Sequence, residues 1–401
     1  MKALLLSEYN RLSLTEQPRP KPAPDELLIQ VAACGICGSD VHGFDGSTGR
    51  RIPPIVMGHE AAGVVVEAGS AVRDFAPGDR VTFDSTVYCG ACSFCLRGEI
   101  NLCDRRQVIG VSCGEYRRAG AFAEFIAVPA RIAYHLPDTF SFSDAAMLEA
   151  VSVALHGVAV SHLAGEDSVL VIGAGKSAVG ERLRDLGFPV VDADDVAHDV
   201  TQPGSATLSA LVDAFGSAVL DAEGSLDRVF VADVDATRLK LAADLGADCT
   251  IQATGAALID EVLRLTDGPG VDIVLEAVGL NETIASAIDC VRKGGTVTLV
   301  GNISPQVTLP LQKVVSRQIR LQGSCASAGE YPRAIELIAG GKIKVTPLIT
   351  AIAPLSDGPS WFDRLHAREP NLMKIVLDPR IDQIDRINQI DAAPANREQP
   401  R

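Results

Sequence analysis

The sequence is poor in positive charge. Its 401 residues include 36 Lys and Arg against 51 Asp and Glu, which gives a formal net charge of −15 at pH 7. A protein that binds nucleic acid needs a surplus of basic side chains to displace counterions from the phosphates. The composition therefore argues against nucleic acid as a partner and favours small molecules.

Long apolar runs and internal repeats are also missing. No run reaches the roughly 18 consecutive apolar residues of a membrane span, and residues 1–10 have neither the apolar region nor the cleavage site of a signal peptide. We therefore predict a soluble, cytoplasmic protein without a membrane partner. At 401 residues the chain exceeds the size at which a single core stops growing, so we expect two domains.

Disulfides are not expected, although the chain contains ten cysteines. Four of them follow the spacing C-x2-C-x2-C-x7-C within one loop, at Cys89, Cys92, Cys95 and Cys103. Four thiolates in one loop suit closed tetrahedral coordination of zinc. Unligated cysteines on a polar loop would instead be open to oxidation. The loop therefore predicts a structural zinc site.

Short apolar strands alternate with Gly and Pro turns over residues 2–81, which predicts a β-rich, barrel-like domain. Two loops in this region carry zinc-ligand side chains: residues 34–42, CGICGSDVH, and residues 58–60, GHE. Singly, Cys34 or Cys37 fits a small core residue and His59 fits a turn. Together with the four-cysteine loop, they favour a second zinc site.

After His156, buried strands alternate with helices, a pattern that predicts a doubly wound parallel sheet. The first strand runs into VLVIGAGKS, residues 169–177, which has two interpretations. As a dinucleotide fingerprint the sequence uses Gly173, Gly175 and Ala178. As a P-loop it ends in Gly175-Lys176-Ser177 but has Leu170 where the first glycine belongs. The local pattern leaves both open.

The chain resembles the zinc-dependent medium-chain dehydrogenases, in particular the sorbitol and threonine dehydrogenase branch. The matching motifs are GICGSDVH, PPIVMGHEAAGVV, PGDRV, CGACSFCLRGEINLC, AFAEFIAVP and LEAVSVALHGV. The resemblance runs from residue 1 to about 175 and again from 228 to about 379. It implies an α/β fold with a GroES-like β-barrel catalytic domain, a doubly wound Rossmann domain for NAD, and an insertion after the first Rossmann strand.

The resemblance also implies roles for individual residues. Cys37 and His59 would ligate a catalytic zinc, with Glu149 ligating directly or through water. Glu60 would either support the ligands from behind or be an exchanging ligand. Ser39 and His42 match the positions that pass the substrate proton toward solvent. The implied reaction is hydride transfer from a secondary alcohol of a polyol, sugar phosphate or hydroxy amino acid to NAD, in a homodimer or homotetramer.

The implied cofactor site includes an acidic residue. Asp233 ends the second strand, where its carboxylate would accept the ribose hydroxyls and favour NAD over NADP. Asp233 also fits the cap of the helix that begins near Ala236. The remaining cofactor positions implied by the resemblance are Arg238, Gly279, Gly301 and Asn302, of which Gly301 and Asn302 are equally compatible with a plain turn.

The spacing of this site indicates an insertion, because Asp233 follows Gly175 by 58 residues instead of about 20. Residues 176–227 resemble the opening of a dephospho-CoA kinase, in which Lys176 and Ser177 would hold phosphate and Mg²⁺ and Asp192 would match the candidate base. Either PVVDAD lies beside the first strand, which makes Asp192 the ribose acid, or VFVADVD does. We favour VFVADVD, because it keeps its own following helix.

The predicted domains are 1–157 with 325–379 for catalysis, 158–324 for NAD with the foreign segment 176–227, and a solvated tail at 380–401. Two other functions stay open. One is a P-loop phosphotransferase resembling dephospho-CoA kinase. The other is a zinc-binding chimera in which the insertion impairs cofactor binding.

Overall fold

The structure, a computed structural model, describes residues 1–164, 167–173 and 229–382. The insertion at 176–227 and residues 383–401 of the predicted tail lie outside the described residues. The chain divides into two compact units. The first comprises Met1–Val87, Arg106–Met147 and the described chain from Ile349 onward, and the second comprises Tyr88–Arg105 and Leu148–Leu348. The predicted boundaries, which kept the four-cysteine loop in the first domain, remain a prediction.

The described chain contains both helices and strands, in agreement with the predicted α/β class. The strands are β1 (Lys2–Glu8), β2 (Arg11–Glu16), β3 (Glu26–Gly35), β4 (Ile55–Val56), β5 (Glu60–Ala68), β6 (Arg80–Phe83), β7 (Thr86–Val87), β8 (Gln107–Ile109), β9 (Arg117–Arg118), β10 (Phe125–Pro129), β11 (Ala133–His135), β12 (Val169–Ile172), β13 (Val229–Ala232), β14 (Cys249–Ile251), β15 (Val271–Glu276), β16 (Val291–Leu299), β17 (Arg320–Gly323), β18 (Ile349–Pro354) and β19 (Lys374–Asp378). The helices are α1 (Gly38–Phe44), α2 (Ser93–Leu96), α3 (Phe142–Ala145), α4 (Leu148–Val160), α5 (Ala236–Asp244), α6 (Gly255–Leu265), α7 (Asn281–Cys290), α8 (Leu311–Ser316), α9 (Tyr331–Ala339) and α10 (Gly358–His366).

The first unit is built on a seven-stranded sheet with the order β11-β6-β5-β3-β19-β18, and β10 also pairs with β3. β3 is buried along nearly its whole length, as expected for an apolar strand at the centre of a sheet. It pairs antiparallel with β5, with register shifts at Leu28/Ile29 and Val31/Ala33. Such bulges bend a strand and increase its twist, so the sheet curves around its core.

The second unit is built on a six-stranded sheet with the order β14-β13-β12-β15-β16-β17, in which each neighbouring pair is parallel. Counted along the chain, this order is 3-2-1-4-5-6, the doubly wound arrangement that binds dinucleotides. The prediction of a doubly wound parallel sheet is confirmed. Helices α6 and α7 contribute Leu258, Val262 and Ile288 to the apolar core that also contains Phe230 and Val274.

The strand that pairs with β12, the first strand of this sheet along the chain, is β13, with the sequence VFVA. β13 pairs with β12 in register from Val169↔Val229 to Ile172↔Ala232, and the opposite edge of β12 pairs with β15. Both edges of β12 are therefore occupied, as the favoured alternative predicts. Asp192 and PVVDAD lie outside the described residues.

Residues Phe142–Val160, which include α3 and α4, form an apolar helical stretch. The mean hydropathy over an 18-residue window is 1.3, and 56% of that window is buried. Length and composition alone are compatible with a membrane span, but burial of this kind is typical of a core helix of a soluble protein.

Candidate metal centres and cofactor site

The four predicted cysteines of the structural site come together in one lobe. Cys92 precedes the short helix α2, and Gly90 and Gly98 turn the chain around it with φ of +75° and +85°. The four sulfur atoms lie within 4.8 Å of one another. The Sγ of Cys95 is 3.5 Å from that of Cys92 and 3.9 Å from that of Cys89. Tetrahedral zinc with Zn–S bonds near 2.3 Å needs sulfurs about 3.8 Å apart, so this lobe fits the ion.

Backbone N–H groups stabilise the thiolate form of Cys89, the form that binds a metal ion. The N–H groups of Ala91 and Cys92 each donate to Cys89 Sγ over 3.4 Å, and Arg105 donates to the same sulfur. These bonds lower the pKa of Cys89 to about 5. Loss of hydration and the thiol of Cys92 raise the pKa of Cys95 to about 12. Binding of zinc to the lobe therefore releases protons, because each ligand is a thiolate.

The second cluster joins Cys37, His59 and Glu60, whose ligand atoms lie within 4.8 Å of one another. The β3–β5 register explains the proximity, because Gly35 at the end of β3 lies opposite Glu60 at the start of β5. Cys37 follows β3 and caps α1, and His59 precedes β5. A thiolate, an imidazole and a carboxylate are zinc ligands, so the donor set fits a zinc ion.

Asp40, in α1, supports the histidine of this cluster. Its Oδ2 lies 3.4 Å from His59 Nδ1, at an angle outside hydrogen-bond geometry, and accepts from the Cys37 N–H over 3.3 Å. Burial alone would raise the pKa of Asp40, but His59 and Arg51 outweigh it and hold that pKa well below the usual range. A carboxylate at this position favours a basic, fixed imidazole, as metal-ligating histidines require.

The sequence analysis missed two cationic partners of this cluster. Arg51 Nη2 lies 3.0 Å from Asp40 Oδ1, and Lys374 Nζ lies 2.6 Å from Glu60 Oε2. All four side chains are buried or nearly so. Asp40 lies inside the quoted motif, so its proximity to Cys37 was a usable signal. Arg51 and Lys374 carry no motif that points to the cluster.

The predicted proton-path residues lie on one helix. Ser39 and His42 are three positions apart on α1 and therefore share a face. Ser39 Oγ accepts a hydrogen bond from Arg51 Nη2 over 3.1 Å. Partial burial lowers the pKa of His42, against the opposing effect of Asp45, so the imidazole is neutral at neutral pH and able to accept a proton. The remaining predicted ligand, Glu149, lies in the first turn of α4 in the second unit.

Close glycine contacts mark the carboxyl edge of the parallel sheet. Gly173 follows β12 with φ of +95°. A Cβ at Gly279 would lie 2.4 Å from the backbone N of Asn302, and one at Gly301 would lie 2.2 Å from the carbonyl C of Val278. These loops after β15 and β16 therefore require glycine, at the edge where doubly wound sheets bind cofactors. Gly175 and Ala178 lie outside the described residues.

Asp233 lies directly after β13 and is 9% exposed. Its Oδ1 accepts from the N–H of Asp235 over 2.9 Å. The cap of α5 is Asp235, whose side chain accepts from the N–H groups of Thr237 and Arg238. The alternative interpretation of Asp233 as the helix cap is therefore wrong. Arg238 Nη1 lies 4.0 Å from Asp233 Oδ2.

Three family models match the chain. The alcohol dehydrogenase GroES-like domain matches residues 23–138, and the zinc-binding dehydrogenase domain matches residues 216–340. A dephospho-CoA kinase model matches residues 170–234, which include the segment 176–227; residues 216–234 match both this model and the zinc-binding dehydrogenase model. The resemblance to two unrelated enzyme classes is thereby confirmed.

Named relatives match both units. The L-idonate 5-dehydrogenase of Vitis vinifera is 32% identical over 338 residues, 82% of this chain and 81% of the relative. The D-arabitol-phosphate dehydrogenase of Enterococcus avium is 30% identical over 374 residues, 92% of this chain and 94% of the relative. A crystal structure of a candidate zinc-binding dehydrogenase from Sinorhizobium meliloti 1021, bound to NADP, is 29% identical with a TM-score of 0.76, and covers 94% of this chain and 99% of that one. Each match is longer than either unit, so it includes residues of both.

Proposed function

Because the chain belongs to the zinc-binding alcohol dehydrogenase family, a family of zinc- and NAD(P)-dependent oxidoreductases, we propose that it oxidises a secondary alcohol of a polyol or polyol phosphate. The cluster of Cys37, His59 and Glu60 within 4.8 Å carries this proposal. The substrate class is supported by two relatives named for a sugar acid and an alditol phosphate. A sugar phosphate and a hydroxy amino acid are the remaining candidates from the resemblance to the sorbitol and threonine dehydrogenase branch.

In the proposed reaction Cys37, His59 and Glu149 would hold the catalytic zinc, and the carboxylate of Glu60 would exchange between the zinc and its ion pair with Lys374. When bound, zinc supplies Lewis acidity at the substrate oxygen. Ser39 accepts the hydroxyl proton of the substrate while its own proton leaves toward His42 and solvent. The neutral imidazole of His42 suits this step, since only an unprotonated ring nitrogen can accept a proton.

For the cofactor we propose NAD, bound along Gly173, Gly175, Ala178, Gly279, Gly301 and Asn302. Asp233 is supported as the ribose acid by its burial at the end of β13. An arginine beside this position favours a 2′-phosphate, and the relative from Sinorhizobium meliloti contains NADP. Here Arg238 lies near two carboxylates, those of Asp233 and Asp235. The local charge therefore favours a hydroxyl over a phosphate.

A phosphotransferase is the second candidate function, because residues 170–234 match the dephospho-CoA kinase model. We propose that transfer does not occur. The first P-loop glycine is replaced by Leu170, a fully buried strand residue that pairs with Phe230 and Val274. Phosphoryl transfer also requires an acceptor site, and the sequence resembles the kinase only over the nucleotide-binding opening.

The assembly and location proposed here are a homo-oligomer in the cytoplasm. β17 is an edge strand of the parallel sheet. The preceding helix α8 exposes Leu311 to 67% and Val315 to 70%. An edge strand, counted among the described strands, and exposed apolar side chains in the helix before it both favour self-association. Sedimentation of the purified chain as a monomer would contradict the homo-oligomer.

Metal analysis with an activity panel tests the function. We expect two zinc ions per chain and reduction of NAD in the presence of polyols or polyol phosphates. One zinc ion or none, or no cofactor reduction with any alcohol of the panel, would reject the proposal. ATP-dependent phosphorylation of dephospho-CoA would instead support the kinase.

A further inference from the structure

Arg51 is a buried cation with two acceptors beside the candidate catalytic zinc site. The side chain is 3% exposed. Its Nη2 donates to Ser39 Oγ over 3.1 Å and to Asp40 Oδ1 over 3.0 Å. One nitrogen thereby contacts both the predicted proton-path hydroxyl and the carboxylate next to His59.

The surrounding chain is shaped for this side chain. Gly43 in α1 leaves room for its stem, because a Cβ there would lie 2.2 Å from Arg51 Cγ. The backbone of the next residue, Ile52, is fixed by Ser112, whose Oγ accepts from the Ile52 N–H over 2.5 Å and donates to its carbonyl over 2.8 Å. Helix α1 and the loop that follows it therefore both fix the position of the Arg51 guanidinium.

Stability alone does not explain the buried pair. A buried ion pair is on average no more stabilising than apolar side chains of the same volume, because both charges lose their hydration. Asp40 balances the charge of Arg51, and this balance leaves the second N–H of Nη2 directed at Ser39. Packing and charge balance do not require the hydrogen bond from Arg51 Nη2 to Ser39 Oγ.

We propose that Arg51 is a positioning residue that sets the direction of the Ser39 hydroxyl during proton transfer. The inference rests on the proposed function, in which Ser39 takes the substrate proton. The N–H of Arg51 occupies one lone pair of Ser39 Oγ. The second lone pair then accepts the substrate proton as the hydroxyl's own proton leaves toward His42, so Ser39 ends the step as a neutral hydroxyl. With Arg51 absent, the hydroxyl rotates and fewer complexes are aligned for transfer.

A double-mutant cycle tests the inference in the zinc-loaded chain. Arg51→Met is measured alone and together with Ser39→Ala, with a polyol that the wild type oxidises. We expect Arg51→Met alone to lower kcat about tenfold with KM nearly unchanged, a part of the roughly 10²–10⁴-fold contribution that a complete proton-transfer step makes. In the Ser39→Ala background the same substitution should change kcat less than about twofold, because the hydroxyl that Arg51 directs is gone. An equal loss in both backgrounds would overturn the inference.

Controls separate positioning from folding. Arg50→Met changes an exposed neighbour and should leave kcat, zinc content and unfolding temperature unchanged. Zinc content and unfolding temperature of the Arg51 variants are measured without substrate. If Arg51→Met loses zinc or unfolds, the cycle is repeated with Arg51→Lys, whose single nitrogen has donors for both acceptors. An Arg51→Lys variant that keeps two zinc ions but loses the same factor in kcat with and without the Ser39 hydroxyl also overturns the inference.

The proposed function fails in a different way. A wild-type chain with two zinc ions that oxidises no alcohol rejects the proposed function and this inference with it. An active wild type whose cycle shows no coupling between Arg51 and Ser39 rejects the inference alone.

Discussion

At the scale of single residues, loss of Cys37 should separate catalysis from folding. A serine hydroxyl is a much poorer zinc ligand than a thiolate. We therefore expect Cys37→Ser to bind one zinc ion where the wild type binds two, and to lose at least about 100-fold in turnover, with its unfolding temperature little changed. Metal analysis, steady-state kinetics and thermal unfolding measure these effects. Cys113→Ser, outside both clusters, is the control, and full turnover of Cys37→Ser would contradict the assignment.

Asp233 and Asp235 are close in sequence and should differ in effect. Asp233→Ala removes the proposed acceptor of the ribose hydroxyls, so NAD affinity should fall about tenfold or more. Asp235→Ala removes the cap of α5 and should lower the free energy of unfolding by about 1 kcal/mol with NAD affinity retained. Calorimetric titration with NAD and NADP measures the first effect. A wild-type preference for NADP, or an unchanged NAD affinity in Asp233→Ala, would reject the role of Asp233.

At the scale of elements, the four-cysteine lobe should act on stability. Asn101, in the turn before Cys103, donates to the carbonyl of Cys325 over 2.8 Å and lies 3.2 Å from His156 Nε2. The lobe is thereby bonded to α4 and to the chain after β17. Cys92→Ser should release one zinc ion and lower the free energy of unfolding by several kcal/mol. Thermal unfolding with and without a chelator tests this, and a Cys92→Ser variant as stable as Cys113→Ser would contradict it.

A half-buried carboxylate joins three strands of the parallel sheet. Asp272, in β15, accepts from the N–H and Oγ of Ser168 over 2.9 and 2.7 Å, and also accepts from Arg292 in β16. Burial raises the pKa of Asp272, but Arg292 and Ser168 outweigh it, so the pKa lies below its usual value. Because the pKa of Asp272 is lower in the folded state, its ionised carboxylate stabilises the fold at pH values above its pKa in the unfolded chain, which is about 3.9. This stabilisation is lost as the pH falls through the pKa of the folded state.

Asp272→Asn should therefore destabilise the chain by about 1 kcal/mol at neutral pH, a value reduced by partial solvent screening. The difference from wild type should shrink as the pH falls below about 4. Denaturant unfolding across this pH range measures it. The exposed Asp260→Asn is the control, and a difference that is constant down to the lowest pH would contradict the charge-based explanation.

The elements with a local pattern were predictable, and the contacts between them were not. VLVI and VFVA read as buried strands because four apolar residues lie between polar turns, and the cysteine spacing predicts a lobe without any knowledge of the fold. Arg51 contacts Asp40 because the loop after α1 returns to that helix. Lys374 contacts Glu60 because β19 and β5 both pair with β3, and the two residues are 314 positions apart. No periodicity of the sequence encodes such a distant partner. The cap of α5 is Asp235 and not Asp233, because the helix begins at Ala236 and the local sequence does not fix that start.

At the scale of the whole molecule, the segment 176–227 is expected to weaken the dehydrogenase without adding a kinase. Exchange of this segment for a short helix and turn should restore the usual distance between Gly175 and Asp233. We expect tighter NAD binding and faster alcohol oxidation in that variant. Titration with NAD and a steady-state comparison with the original chain measure both. Unchanged or reduced activity would mean that the segment is a working part of the enzyme.

The register between β12 and β13 has a consequence for the order of folding. Val169 and Val229 pair across 60 residues of chain, whereas Val271 and Val291 pair across 20. Loop closure grows only logarithmically with length, so the threefold longer connection costs about 1 kcal/mol of chain entropy. The equilibrium fold tolerates this cost, but the rate of forming a contact falls with its separation along the chain. The β15–β16 pair should therefore form before β12 meets β13. Val169 also pairs with Ile273, across 104 residues, so β12 should be the last strand to join the sheet.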